Sequence, residues 1–260
     1  MKLPRLSKPE RNDAQDFFCP IFFGTSDNAI FSALMKIAAE RVRHGHFVGD
    51  NLFTWGKNNS MLDDQAFMKA WSSNLADQAD QAILWRRYVL ACAAFHCVHL
   101  DGDFVECGCY LGVGVKTVAD YLGGIEFPKQ FWAYDLFEHT PGMRHHAMPE
   151  HGPELYGRIR KKFSPYPQVK VIKGEIPCVF AANSPQRICY LHLDLNEPDA
   201  ELAALESLFD RIVPGGMLIL DDYEWAMNYR RQKLAEDPWF EARGYRVIPI
   251  PTGQGLVIKR

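Results

Sequence analysis

From Asp103 onward the chain settles into a rhythm that few folds accept. Short apolar runs, DFVEC (103–107), QFWAYD (130–135), VKVIKG (169–174), ICYLHLD (188–194) and GMLILDD (216–222), alternate with helix-like segments such as VKTVADYLG and DAELAALESLFDRIV. Apolar runs of this length predict strands buried on both faces, and such strands need helices above and below them. The alternation therefore predicts a doubly wound, mostly parallel α/β sheet. GYRVIPIPTGQGLVIKR closes the chain as two strand-like runs joined by a Pro/Gly turn. That adds an antiparallel edge hairpin and makes seven strands.

Upstream the period changes. Residues 1–24 read as a loose arm, with FFCPIFFG apolar enough to dock on something. AIFSALMKIAAERVRHG, DDQAFMKAWSSNLADQADQ and AILWRRYVLACAAFHCVH carry apolar residues at three- and four-residue spacing and predict helices, with FVGDNLFTWGKNNSM as a loop between the first two. The division expected is an arm and helical extension over 1–100 and a cofactor-binding domain over 101–260. A net charge of -3 over 260 residues offers no footprint for nucleic acid, and no apolar run approaches the ~20 residues of a membrane span. The N-terminus lacks the apolar core of a signal peptide, and seven cysteines form an odd set without zinc-ligand spacing. Reduced thiols in a cytoplasmic protein are the expectation.

In a doubly wound sheet, ligands bind at the carboxyl ends of the strands. DFVECGCYLGVGVKTVADYL is a strand, a glycine-bearing turn and a helix; Gly108 and Gly112 would let backbone pass close to a ligand. The glycine order is Gly-x-x-x-Gly-x-Gly with Glu106 before it, which argues against a dinucleotide and for S-adenosylmethionine. Glu106 would meet a cationic amino group or a hydroxyl, or else be a structural acid. Asp135, ending the second run, would accept both ribose hydroxyls, or else cap whatever follows. Gly174 ends the third run on the same rim.

Asp194 ends the fourth run, and Asp221 and Asp222 end the fifth. Three carboxylates converging on one small volume either hold protons or share a cation. Oxygen-only ligands select Mg²⁺ or a similar hard cation. The competing reading has Asp221 capping a turn and Asp222 paired with Arg230 or Arg231. For a proton-accepting base, His139 in the FEHTPG loop is the first candidate and Asp194 or Asp222 beside the metal the second. His145, His146 and His151 line an acceptor pocket or a solvated loop, and His192 reads as a satisfied core histidine.

GDFVECGCYLG, YDLFEHTPG, LHLDLNEPDAELAALESLFDRIVPGGMLILDDY and PTGQGLVIK resemble, in order and spacing, the macrocin O-methyltransferase family. The resemblance implies a class I, S-adenosylmethionine-dependent and Mg²⁺-dependent O-methyltransferase acting on sugar hydroxyls of natural products. It assigns Glu106, Gly108, Gly112 and Asp135 to the cofactor and Asp194, Asp221 and Asp222 to the metal. The N-terminal helices then resemble a lid and oligomer-forming region, making a homo-oligomer the expectation. One departure stands out: Leu195, Asn196 and Glu197 follow Asp194 where the macrolide-sugar enzymes carry a second acid and a Tyr-Glu pair. The alternatives are a catechol-type phenolic methyltransferase, a nicotinamide oxidoreductase, or a non-catalytic cofactor-binding relative.

Overall fold

The computed structural model describes residues 3–4, 13–145 and 147–260. Its N-terminal part runs through β1 (Phe17–Phe18), α1 (Asn28–Ala39), β2 (Phe47–Gly49), β3 (Leu52–Thr54), α2 (Ser60–Asp63), α3 (Gln65–Ser72), α4 (Gln78–Ala82) and α5 (Leu84–Cys97). The stretch expected as a loop holds a hairpin. Asp50 and Asn51, at φ 49° and 53°, make the left-handed two-residue turn that matches strand twist between β2 and β3. β1 pairs parallel to β2 and completes a three-stranded sheet, so part of the arm is docked. The second expected helix is broken into α3 and α4. Asn74 turns its side chain back to Ala70 O at 2.7 Å, and Asp77 caps α4.

Beyond these lie β4 (Asp103–Cys107), α6 (Val113–Tyr121), β5 (Phe131–Asp135), α7 (Leu155–Lys162), β6 (Val169–Lys173), β7 (Ile188–Leu193), α8 (Pro198–Leu208), β8 (Ile212–Leu220), α9 (Arg230–Ala242), β9 (Ile248–Pro249) and β10 (Gly255–Ile258). They form one seven-stranded sheet in the order β6-β5-β4-β7-β8-β10-β9, parallel from β6 to β8 and antiparallel in the terminal hairpin. β8 begins at Ile212 rather than at 216. The Gly215 N–H donates to Lys259 O, which draws the Pro/Gly stretch into the sheet across a register slip.

One face of the sheet is covered by α3, α5, α6 and α7, whose buried residues share a core with Phe104, Phe131 and Tyr190. α8 and α9 cover the other face over Val105, Leu191, Leu193 and Leu218. Phe47, Phe67, Trp71, Leu84 and Leu90 of the N-terminal part belong to the first core, so the boundary near residue 100 separates roles rather than cores. Fully burying side chains of this kind contributes ~1.5–3 kcal/mol each. By contrast, α1 leaves Ile30, Phe31, Leu34 and Ile37 exposed. Among the described residues no helix is long and apolar enough to cross a membrane. The seven cysteines are free thiols, and five of them are buried.

Candidate active site

Register places the expected residues together. Cys107 pairs with Tyr134 on one side and with Leu193 on the other, and Leu193 pairs with Leu220. The residues just beyond these strand ends therefore share one rim, with neighbouring strands about 5 Å apart. A cavity of about 1070 Å³ opens there, and Glu106, Asp135, Gly174, Asp194, Asp221 and Asp222 all line it. It spans the point where strand order reverses, between β4 and β7. Tyr110, Phe137 and Asn196, one on each of three rim loops, hold φ of 42°, 59° and 58°. Backbone strain of this kind clusters where a site is held in shape.

On the β4–β5 side, Glu106 is buried, and its Oε2 meets His192 Nδ1 at 3.0 Å. Asp135 accepts from the Tyr110 N–H at 2.7 Å and the Phe137 N–H at 2.5 Å. Burial pushes its carboxyl up, and these two donors oppose the push. Each carboxylate oxygen keeps a lone pair for a hydroxyl. Gly108, at φ 90°, serves a close approach of protein to protein: an added Cβ would stand 1.9 Å from Asp194 O. Gly112 does not itself line the cavity, although Leu111 and Val113 on either side of it do. Its φ of 67° starts α6, and a Cβ there would press on the Phe163 ring at 2.6 Å.

Asp221 and Asp222 do have an arginine partner, but it comes from α5. Arg86 Nη1 lies 2.7 Å from Asp221 Oδ2 and 3.3 Å from Asp222 Oδ1, and Nη2 donates to Thr252 O at 3.1 Å. Asp221 Oδ1 also meets His192 Nε2 at 3.2 Å and accepts from Gln254 Nε2 at 2.8 Å. Burial raises the Asp221 pKa, but Arg86 and His192 outweigh it and hold the carboxyl well below its usual range. Burial carries Asp222 the other way, to about 7, with Arg86 opposing and Asp221 adding to the rise. Asp194 is pushed well above the carboxylate range by burial and by Asp221 and Asp222; Asn196 Nδ2 sits 3.5 Å from its Oδ1.

One ligand atom each of His192, Asp194 and Asp221 lies within 4.8 Å of the others. Both His192 nitrogens are engaged by carboxylates, and both Asp221 oxygens are engaged by Arg86, His192 and Gln254, whereas Asp194 meets the Asn196 amide at 3.5 Å; Asp222 is not part of this group. The three aspartates offer oxygen donors of the kind a hard divalent cation takes, and such a cation would compete there with Arg86 and with His192, whose pKa, lowered by burial, is carried up to about 10 by Glu106 and Asp221.

The histidines divide. His139 stays outside the cavity wall and faces His145, Nδ1 to Nε2 at 3.4 Å; it is His145 and His151 that line the cavity. His146 lies outside the described residues. His192 is fully buried, as expected, but it bridges Glu106 to Asp221 rather than sitting in an apolar core.

Sequence reasoning missed the contribution of the N-terminal part. Asp50, Arg86 and Arg87 line the cavity beside the rim acids. Asp50 accepts from the Trp85 and Arg86 N–H groups at 2.8 and 3.1 Å, fixing the start of α5 that carries the arginines. Burial raises its carboxyl to about 7 against the pull of Arg86. The available signal was the pair of arginines inside the apolar run LWRRYVL, since buried arginines need partners.

The family model described as Macrocin-O-methyltransferase (TylF) matches residues 90–237. A curated relative, the 8-demethyl-8-(2,3-dimethoxy-alpha-L-rhamnosyl)-tetracenomycin-C 4'-O-methyltransferase of Streptomyces olivaceus, is 28% identical over 173 residues, covering 57% of this chain and 66% of that protein. The chain thus spans just under two thirds of that relative's length. Among solved structures, the O-methyltransferase NovP aligns with a TM-score of 0.59 at 17% identity over 69% of this chain and 81% of its own. The calicheamicin methyltransferase CalS11 aligns with a TM-score of 0.53 at 12% identity over 80% of this chain and 94% of its own. At these identities the structural likeness shows the fold, a class I methyltransferase sheet.

Proposed function

The chain belongs to the macrocin O-methyltransferase family, and on that premise we propose that it transfers the methyl group of S-adenosylmethionine to a hydroxyl of a sugar or glycosylated small molecule. The observation that carries this reading is the meeting in one cavity of Glu106 and Asp135 on one side and Asp194, Asp221 and Asp222 on the other. A nucleoside with a charged amino-acid end suits the first pair: Glu106 receives the amino group and Asp135 the ribose hydroxyls. S-adenosylmethionine supplies an electrophilic methyl group when bound there. A divalent cation held by Asp194, Asp221 and Asp222 would polarise the acceptor hydroxyl and lower its pKa.

The residues of the chain do the rest. Asp194, just past the end of β7 on the cavity wall beside Asp221 and Asp222, is the residue placed to take the acceptor proton in this reading. Asp221, kept ionised by Arg86 and His192, and Asp222 hold the acceptor end of the site. A polar chamber of about 450 Å³, lined by Arg144, Asn196, Glu197, Asn228 and Arg231 among others, shares walls with the main cavity and leaves room for hydroxyl-bearing substituents. The rhamnosyl-directed name of the relative supports a glycosidic acceptor. The same proposal includes a cytoplasmic setting and self-association through the exposed apolar face of α1.

Calorimetry with S-adenosylhomocysteine, with and without Mg²⁺, and a methyl-transfer assay on glycosidic and phenolic acceptors test the reading. Asp221→Ala is expected to retain nucleoside binding and lose transfer. Transfer that persists in excess chelator would remove the metal role, and a preference for phenolic acceptors would favour the catechol-type alternative.

A further inference from the structure

Two arginines stand side by side on α5, and only one is committed. Arg86 is spent on Asp221, Asp222 and Thr252 O. Arg87 lines the same cavity with a side chain 13% exposed, yet its ion pair is a loose one, Nη2 to Asp80 Oδ1 at 3.7 Å. Its Nε is buried with no acceptor. Keeping a guanidinium out of water with this few partners is costly unless a ligand completes them.

Its position tells which ligand. Gly114 lies in the first turn of α6, and a Cβ built on it would stand 3.1 Å from Arg87 Nη1 and 3.1 and 3.2 Å from the two Glu106 carboxylate oxygens. A cation and an anion therefore face the same bare backbone position without pairing with each other. Glu106 Oε2 is held by His192, which leaves Oε1 toward the space. The absent side chain of Gly114 keeps the two groups clear, both line the cavity, and an anion beside a cation there is the complement of a small zwitterion. Of the other arginines on the wall, Arg86 is engaged, and Arg144 pairs with Asp199 and Glu197 at the acceptor end.

We propose that Arg87 binds the α-carboxylate of the methyl donor, so that Glu106 and Arg87 together read its amino-acid end as a zwitterion. Asp80 orients the guanidinium from behind. This assignment rests on the cofactor reading proposed above, and it places one donor-site residue in the segment preceding the matched 90–237.

The test is calorimetry on the full chain with three probes: S-adenosylhomocysteine, decarboxylated S-adenosylmethionine, and 5′-methylthioadenosine, which lacks the amino-acid end altogether. Arg87→Met is expected to weaken S-adenosylhomocysteine binding roughly 10- to 100-fold, the range of charge-assisted hydrogen bonds to a carboxylate. Affinity for the other two probes should change less than about threefold on that scale. Arg87→Lys, which keeps the charge but loses the planar fork, should fall between wild type and Arg87→Met for S-adenosylhomocysteine only. Binding of 5′-methylthioadenosine also reports that each variant is folded. Equal weakening of all three probes, or no weakening of S-adenosylhomocysteine, overturns the assignment. A wild-type chain that binds none of the three overturns the cofactor reading and this assignment with it.

Discussion

Replacing Arg86 by Met tests how the acidic rim is kept folded. The guanidinium reaches Asp221 at 2.7 Å, Asp222 at 3.3 Å and Thr252 O at 3.1 Å, and it lies 5.5 Å from the Trp225 ring centre. Methionine keeps the apolar stem but leaves those carboxylates without their cation. Removing one partner of a buried ion pair costs about 3–5 kcal/mol. Two features pull the value toward the lower end. The Nε of Arg86 has no acceptor to lose, and Asp222, already at about 7, can take up a proton. A loss of about 3 kcal/mol at ~2–4 °C per kcal/mol puts the melting temperature roughly 6–12 °C below wild type. Thermal unfolding in chelator at neutral pH measures it. Mg²⁺ should then stabilise the variant more than wild type, because the acids it binds no longer face a competing cation. Free ligand at a hundred times its Kd adds ~2.7 kcal/mol. A variant within about 1 kcal/mol of wild type in chelator would refute the claim that Arg86 neutralises the rim.

Two further outcomes follow from buried groups near the rim. Gly108→Ala combines φ 90° with a Cβ 1.9 Å from Asp194 O and should cost ~3 kcal/mol or more in urea unfolding; wild-type stability would mean that the β4 and β7 loops do not approach as described. Glu236 is buried without a protein donor to either oxygen and meets Glu201, which also accepts from Leu195 N and Gln232 Nε2; burial raises both carboxyls. Because folding raises these pKa values, the pair's stability is present at low pH and is lost as pH climbs from the ordinary carboxylate range through the raised values. Melting temperature should therefore decline as pH rises above the ordinary carboxylate range, and Glu236→Gln should flatten the decline; an unchanged slope in the variant would exclude the pair as its source.

The middle of the sheet was legible because β4 and β7 are buried along nearly their whole length and read as short apolar runs bounded by polar residues. The rim acids were legible for the same reason, since Asp135, Asp194 and Asp221 stand where such runs stop. The β2–β3 hairpin was hidden by its size: three residues a side cannot show a period, and Gly and Asn read equally well as loop. Arg86 and Arg87 were hidden differently. A 3.6-residue period reports which face of α5 is apolar, while the partners of Arg86 lie far along the chain, Asp221 at a separation of 135 residues, and Arg87 faces Asp80 of α4 only loosely. His192 shows the same limit. A polar residue in the middle of an apolar run signals a satisfied partner, but only the register of β4, β7 and β8 brings Glu106 and Asp221 to its two nitrogens.

The division at residue 100 leads to the last prediction. Residues 101–260 contain the whole seven-stranded sheet and every rim acid that the sequence pointed to. On its own, however, this segment loses α3 and α5 from the cover of one face. α5 packs against β7 and β8, and Leu84, Leu90, Ala91 and Ala94 are buried in the core that holds Phe104 and Tyr190. Exposing even four or five large apolar side chains of that core, Phe104, Val115, Val118 and Ile219 among them, at ~1.5–3 kcal/mol each matches the ~5–15 kcal/mol by which a whole domain is stable. It would also strip the cation from Asp221 and Asp222. A fragment of 101–260 is therefore expected to show no cooperative thermal transition and no S-adenosylhomocysteine binding. Adding residues 78–100, which restore α4 and α5 with Asp80, Arg86 and Arg87, should recover part of both. Cooperative unfolding of the shorter fragment would mean that the N-terminal helices decorate a self-sufficient domain, and the arginines would then have to be explained without a structural share in the site.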